Sequence, residues 1–279
     1  MFGCPLIRVR PRFGSCANGI PVTVLAAATL VLLVAVPGAA AELSSDGLPF
    51  ADLPSALLDR GFSRLYDLDF AGAQKEFESW EKLNPENPMG PASEAAGILF
   101  SEFNRLGVLE AQFYENDSIF NARKKYEADP GERARFEQQL SRAEDLAKSK
   151  LSRDARDRDA LLAMTFANGL RSDFAALIEK RNLASLRYTK QATAWAGQLL
   201  AADPSCYDAH LAGGIAELQT TAAQGHLLAP FARILLAIAY VREKELPRAR
   251  ELLLALQRDF PNNTLFGREL TRLDQNGSR

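Results

Sequence analysis

Apolar positions recur at helical spacing through most of the chain, broken at intervals by short turn-forming clusters. The spacing predicts helices over 56–67 and 70–83, closed by Asn84-Pro85-Glu86-Asn87-Pro88, and then over 91–106. After a stretch without periodicity, helices are predicted over 132–151 and 157–170. A long run over 174–202 carries a weak joint near Arg181-Asn182, and further helices fall at 207–218, 229–241, 247–260 and 265–273. Two segments share a finer pattern: Asp69-Phe70-x-x-Ala73-x-x-x-Phe77 ending at Pro85, and Leu246-x-x-Ala249-x-x-x-Leu253-x-x-Leu256 ending at Pro261. A small residue, a large apolar residue one turn on and a later proline describe a helix that lets its neighbour approach closely, packs against it and then stops.

These residues carry a resemblance to the tetratricopeptide repeat (TPR) family, whose helix–turn–helix unit is about 34 residues long. Gly61, Phe70, Ala73, Phe77 and Pro85 occupy the family's places in the first unit, with Arg64 standing where an aromatic is usual. Leu236, Tyr240, Ala249, Leu253, Leu256 and Pro261 do so in the last. The match is strong over 56–88 and 229–265, moderate over 140–218 and absent from about 107 to 131. The resemblance implies an all-α fold over residues 55–274: a right-handed superhelical array of antiparallel helix pairs, interrupted by an irregular insert at about 107–131 and followed by a disordered tail at 275–279.

Ahead of that region, Arg8, Arg10 and Arg12 precede an apolar run from Ile20 to Val36, and Ala39-Ala40-Ala41 follows it. This order predicts a signal peptide over 1–41, cleaved after Ala41, and a flexible leader over 42–54. Retention of the run as an anchor, which would hold the protein near a membrane, is the competing reading. Export to a bacterial periplasm or envelope is the expected location. Cys4 and Cys16 lie before the apolar run, where they do not suit lipid attachment, and Cys206 alone remains beyond it, so the fold must be held by its core. Beyond Ala41 acidic side chains outnumber basic ones by five, because three of the 33 basic residues lie ahead of it and none of the 35 acidic ones does. A small, mixed charge gives no electrostatic footprint for nucleic acid.

Chemistry is sparsely represented. His210 and His226 are the two histidines, and neither has a cysteine or carboxylate at metal-ligand spacing. Asp154, Asp157 and Asp159 alternate with Arg153, Arg156 and Arg158, which neutralise the charge that a calcium site needs. Glu115 and Asp117 form no recognisable acid–base pair, and no nucleophile elbow or phosphate-cradling loop is present. The expectation is a non-enzyme without cofactor or metal. Asn116, Asn262 and Asn276 stand in glycosylation sequons, which matter only in a glycosylating host.

In the family the first helix of each pair lines a concave face. Projection of its groove-facing places onto this chain gives Leu58, Phe62, Leu65, Tyr66, Phe166, Leu211, Ile215, Ile234 and Ile238 as the candidate partner-binding groove. The set is unusually apolar. Such a groove either receives an amphipathic or apolar segment of another envelope protein, or is filled from within by the insert around Phe113, Tyr114, Phe120 and Tyr126. The expected function is a scaffold or adaptor for protein–protein interaction; the alternative is a binding protein for a small apolar or glycan ligand enclosed between the repeats and the insert. Trp80 and Trp195 are expected to be packing residues.

Overall fold

A computed structural model describes residues 53–109, 126–212 and 215–276. The predicted signal peptide and nearly all of the leader lie outside these residues, as do positions 110–125 and the last three of the tail. The described chain is built from helices: α1 (Leu53–Tyr66), α2 (Phe70–Leu83), α3 (Met89–Arg105), α4 (Pro130–Arg153), α5 (Arg158–Asp173), α6 (Asn182–Ala202), α7 (Ile215–Gln224), α8 (Ala229–Arg242), α9 (Leu246–Asp259) and α10 (Thr264–Asn276). It is an all-α, TPR-like array in which α1/α2, α3/α4, α5/α6 and α8/α9 are the packed pairs and α10 covers the last of them.

The repeat is most visible in its turns. Between pairs the chain makes the same bond four times. The N–H of Asn87, Asp157, Cys206 and Asn263 donates to the carbonyl three residues earlier, on Asn84, Asp154, Asp203 and Phe260, at 3.0 to 3.1 Å. Pro85, Ala155, Pro204 and Pro261 each stand second in these turns, where the chain must leave the helix. Within pairs, the first helix ends on a left-handed residue: Leu68 (φ 65°), Gly107 (φ 68°), Lys180 (φ 56°) and Lys244 (φ 62°). The bonds Asp69 N–H to Arg64 C=O, Val108 to Phe103 and Glu245 to Tyr240 close three of these ends in the way that satisfies the last carbonyls of a helix. After α5 a five-residue π-helical turn, Phe174–Ile178, comes first, and the non-helical break at 179–181 that follows it is the joint that the sequence places near Arg181-Asn182.

Counting back from each inter-pair turn reaches a small residue on the second helix: Ala73, Ala143, Ala192 and Ala249, all buried. These alanines let the helices of neighbouring pairs close together, and one continuous core runs from α1 to α10. One expected element differs. The helix predicted over 207–218 is a 3₁₀ turn, Tyr207–Ala212, followed by α7, which continues through Thr220-Thr221 to Gln224 rather than yielding to a connection there. Gly213 and Gly214, between the two, lie outside the described residues.

Candidate functional site

The first helices of the pairs, α1, α3 and α5, lie side by side, and the projected groove residues divide sharply among them. Phe62, Leu65, Tyr66, Phe166 and Ile238 are at most 8% exposed and belong to the core. Phe62 meets Phe77 and Phe166 edge-on, at centroid distances of 5.2 and 6.0 Å. Leu58, Leu211 and Ile234 are half-buried and pack against the same core. Ile215 begins α7, and its side chain is outside the described set.

The inner side is occupied by the chain's own C-terminal pair. Phe231 of α8 meets Phe100 of α3 edge-on at 5.7 Å, and Phe260, at the end of α9, lies 5.6 Å from Tyr66. Polar contacts fasten the two ends of the array. The Tyr66 hydroxyl donates to the Leu227 carbonyl at 2.9 Å, and Asn263 Nδ2 donates to the Tyr66 carbonyl at 2.8 Å. Asp67 Oδ1 accepts the Asn262 N–H at 2.9 Å while its second oxygen accepts the Asn262 side-chain amide. His226 Nε2 lies 3.2 Å from Asp59 Oδ1. Burial pushes the Tyr66 phenol well above its ordinary range, so it stays a neutral donor.

The loop that receives Tyr66 is itself held from below. Buried Asp208 accepts three backbone N–H groups: His226 at 2.8 Å and Leu228 at 3.1 Å on Oδ1, and Leu227 at 3.1 Å on Oδ2. At Gly225 an added Cβ would meet the Thr221 carbonyl at 2.5 Å and Asp208 Oδ1 at 2.8 Å, so only glycine lets the chain pass there. Asp208 carries no sequence signal beyond a carboxylate near a turn; its role depends on contacts with residues 18 to 20 positions further on, across α7.

A second polar cluster escapes sequence reading altogether. Glu81 and Glu94, both buried, face each other between α2 and α3. Gln74 and Gln139 donate to Glu94 Oε2 at 3.2 and 2.7 Å, Gln74 also reaches Glu78, and Arg142 pairs with Glu81. Burial, and then the neighbouring Glu81, push Glu94 up to about 7. The arrangement favours a protonated carboxyl at a helix interface. Its groups are tied to one another.

The candidate residues weighed in the sequence make structural contacts. Asp154 accepts from the Arg156 backbone, Asp157 caps α5 through the Ala160 N–H at 2.8 Å, and Asp159 accepts at 2.7 Å from Nδ2 of Asn87, which stands in the turn between α2 and α3. His210 stacks on Tyr207. Cys206 is buried beside Arg158, and burial raises its thiol pKa, which disfavours the reactive thiolate. Trp80 is buried and Trp195 half-buried in the packing. Glu115 and Asp117 lie outside the described residues. Among the described residues no three His, Cys, Asp or Glu side chains converge as metal ligands, and no helix is long and apolar enough to cross a membrane.

No protein-family model matches the chain, and no curated protein does. Among solved structures it is similar to a thermophilic TPR protein of Thermus thermophilus, with 18% identity, coverage of 79% of this chain and 98% of that chain, and a TM-score of 0.41.

Proposed function

We propose that this helical-hairpin protein is a non-enzymatic scaffold that holds another envelope protein by an apolar segment. The observation that carries the reading is the division of its inner face. Phe62, Leu65, Tyr66, Phe166 and Ile238 are used up in the core, whereas Leu58, Leu211 and Ile234 stay half-buried at its edge. Partly covered apolar side chains on a well-packed frame gain burial when a partner's apolar residues cover them. The partner surface is therefore narrower than the projected groove. Location in the periplasm or envelope is supported by the arginines and apolar run ahead of Ala41.

The test is in-situ crosslinking and affinity capture in the native host, comparing the intact chain with Leu58→Gln and Ile234→Gln, each first checked for an unchanged thermal melt. Loss of one specific captured protein in both folded variants is the expected result. Equal capture by all three chains overturns the assignment of these residues. Cell fractionation with N-terminal sequencing tests location: a chain beginning at Glu42 outside the cytoplasm is expected, and a full-length cytoplasmic chain overturns it.

A further inference from the structure

One surface of the molecule is built unlike the rest. From Lys180 to Ala202 the chain contains Lys180, Arg181, Arg187 and Lys190 and no acidic residue. Within that run α6 presents Leu183, Leu186, Arg187 and Lys190 at positions i, i+3, i+4 and i+7, which places them on one face of the helix. That face is open to solvent: Leu183 is 86% exposed and Leu186 49%, and Arg187 and Lys190 are exposed beside them. The opposite side is fixed to α5, where Ser172 bonds Ser185 and Thr189. The face therefore belongs to a rigid part of the frame.

Further basic side chains stand at the N-terminal end of α6. Arg181 and Arg133 share the buried carboxylate of Glu179, at 3.1 and 2.6 Å, so two guanidiniums meet one anion. The Arg187 guanidinium lies over the Tyr188 ring, 5.0 Å from its centroid. Two bare leucines one turn apart, followed by two cations a turn further on, form an apolar point with a basic margin. Leu183 stands clear of its neighbours in the first turn of the helix. A folded protein partner must offer a pocket for such a point. A lipid headgroup region needs none, since leucines enter between acyl chains while Lys and Arg stay at the level of the phosphates.

We propose that the Leu183, Leu186, Arg187 and Lys190 face of α6 is a peripheral contact for an anionic lipid surface. The contact is separate from the scaffold residues and does not depend on them. Leucine insertion supplies apolar burial, and the two cations add electrostatic attraction that falls with salt.

The experiment uses the full chain carrying Leu183→Trp, a change at a position exposed enough to leave the fold intact, with the unsubstituted chain subtracted for Trp80 and Trp195. Vesicles are equal parts phosphatidylcholine and phosphatidylglycerol, or phosphatidylcholine alone. Because emission from position 183 is read directly, insertion of the apolar run 20–36 elsewhere in the chain does not imitate the signal. A blue shift and quenching by brominated lipid are expected in the anionic vesicles only. Arg187→Glu with Lys190→Glu in the same background should weaken the response roughly thirtyfold or more. An unmoved emission in anionic vesicles overturns the proposal, as does an equal response to both vesicle types. A response confined to an acidic amphipathic peptide also overturns it, and assigns the face to a protein partner instead.

Discussion

Gly61 lies directly against the ring of Phe77: a methyl group added at Gly61 would stand 2.2 Å from Cε1 and 2.5 Å from Cδ1. The pair joins α1 to α2, and Phe77 is fully buried, so the ring has nowhere to withdraw. Gly61→Ala should gain slightly in helix propensity and lose more by overpacking, with a net loss of about 1–3 kcal/mol. Urea denaturation measures it. A neutral or stabilising result would mean that the first pair repacks freely.

Asp67 and Asn262 are 195 residues apart in sequence and doubly bonded in the fold. Asn262→Ala removes the side-chain bond and keeps the backbone one, so a loss of about 1 kcal/mol is expected. Asp67→Ala removes both and should cost about 2 kcal/mol. A double-mutant cycle should give a coupling of about 1 kcal/mol, whereas additivity would mean that the ends of the array are not in contact in solution.

Asp208 is asked to satisfy three N–H groups at once. Asp208→Ala leaves those donors without their acceptor and should destabilise the protein by about 3 kcal/mol. Amide hydrogen exchange at His226, Leu227 and Leu228 should accelerate before exchange within α8. Uniform acceleration along the chain would instead indicate a purely global effect.

The Glu94 carboxyl holds its proton more tightly when folded than when unfolded, because burial and Glu81 both disfavour its anion. The contribution of this group to stability is therefore fully present below the ordinary carboxylate range and is lost as the pH rises through about 7. Asp173, pushed up to about 7 by burial, acts in the same sense. Glu94→Gln should flatten the decline in melting temperature between acidic and mildly alkaline pH, by several degrees at the alkaline end. An unchanged pH profile would place the proton elsewhere.

Lys244 is exposed and adopts a left-handed conformation that L side chains resist. Lys244→Gly should stabilise the last pair by about 0.5–1 kcal/mol, relieving the turn without disturbing a buried contact. A loss in thermal melting would show that the lysine side chain contributes more than its backbone strain.

The repeats could be read from the sequence because their signals are local. Proline two places into a turn, alanine twelve residues before it and an aromatic between them are all set within one helix, and Pro85, Ala73 and Phe77 stand where that logic puts them. The left-handed residues were less legible, since Leu68, Lys180 and Lys244 are not glycines and nothing in their identity announces the turn. The inner face was legible in composition and not in exposure. Whether Phe62 or Tyr66 meets water or Phe166 and Phe260 depends on where residues a hundred or more positions away come to rest. Polar pairs such as Glu81 with Glu94 or Asp208 with His226, only 13 and 18 residues apart, are invisible because they form between separate elements whose packing the sequence does not state.

An array whose ends are free can gain or lose a hairpin and merely grow longer or shorter. Here Tyr66 and Asp67 of the first pair grip Leu227, Asn262 and Asn263 near the last, so the distance between the ends is prescribed. Insertion or deletion of one unit would carry these partners out of reach of each other, which makes the number of hairpins in this protein a fixed quantity, counted by its own closure.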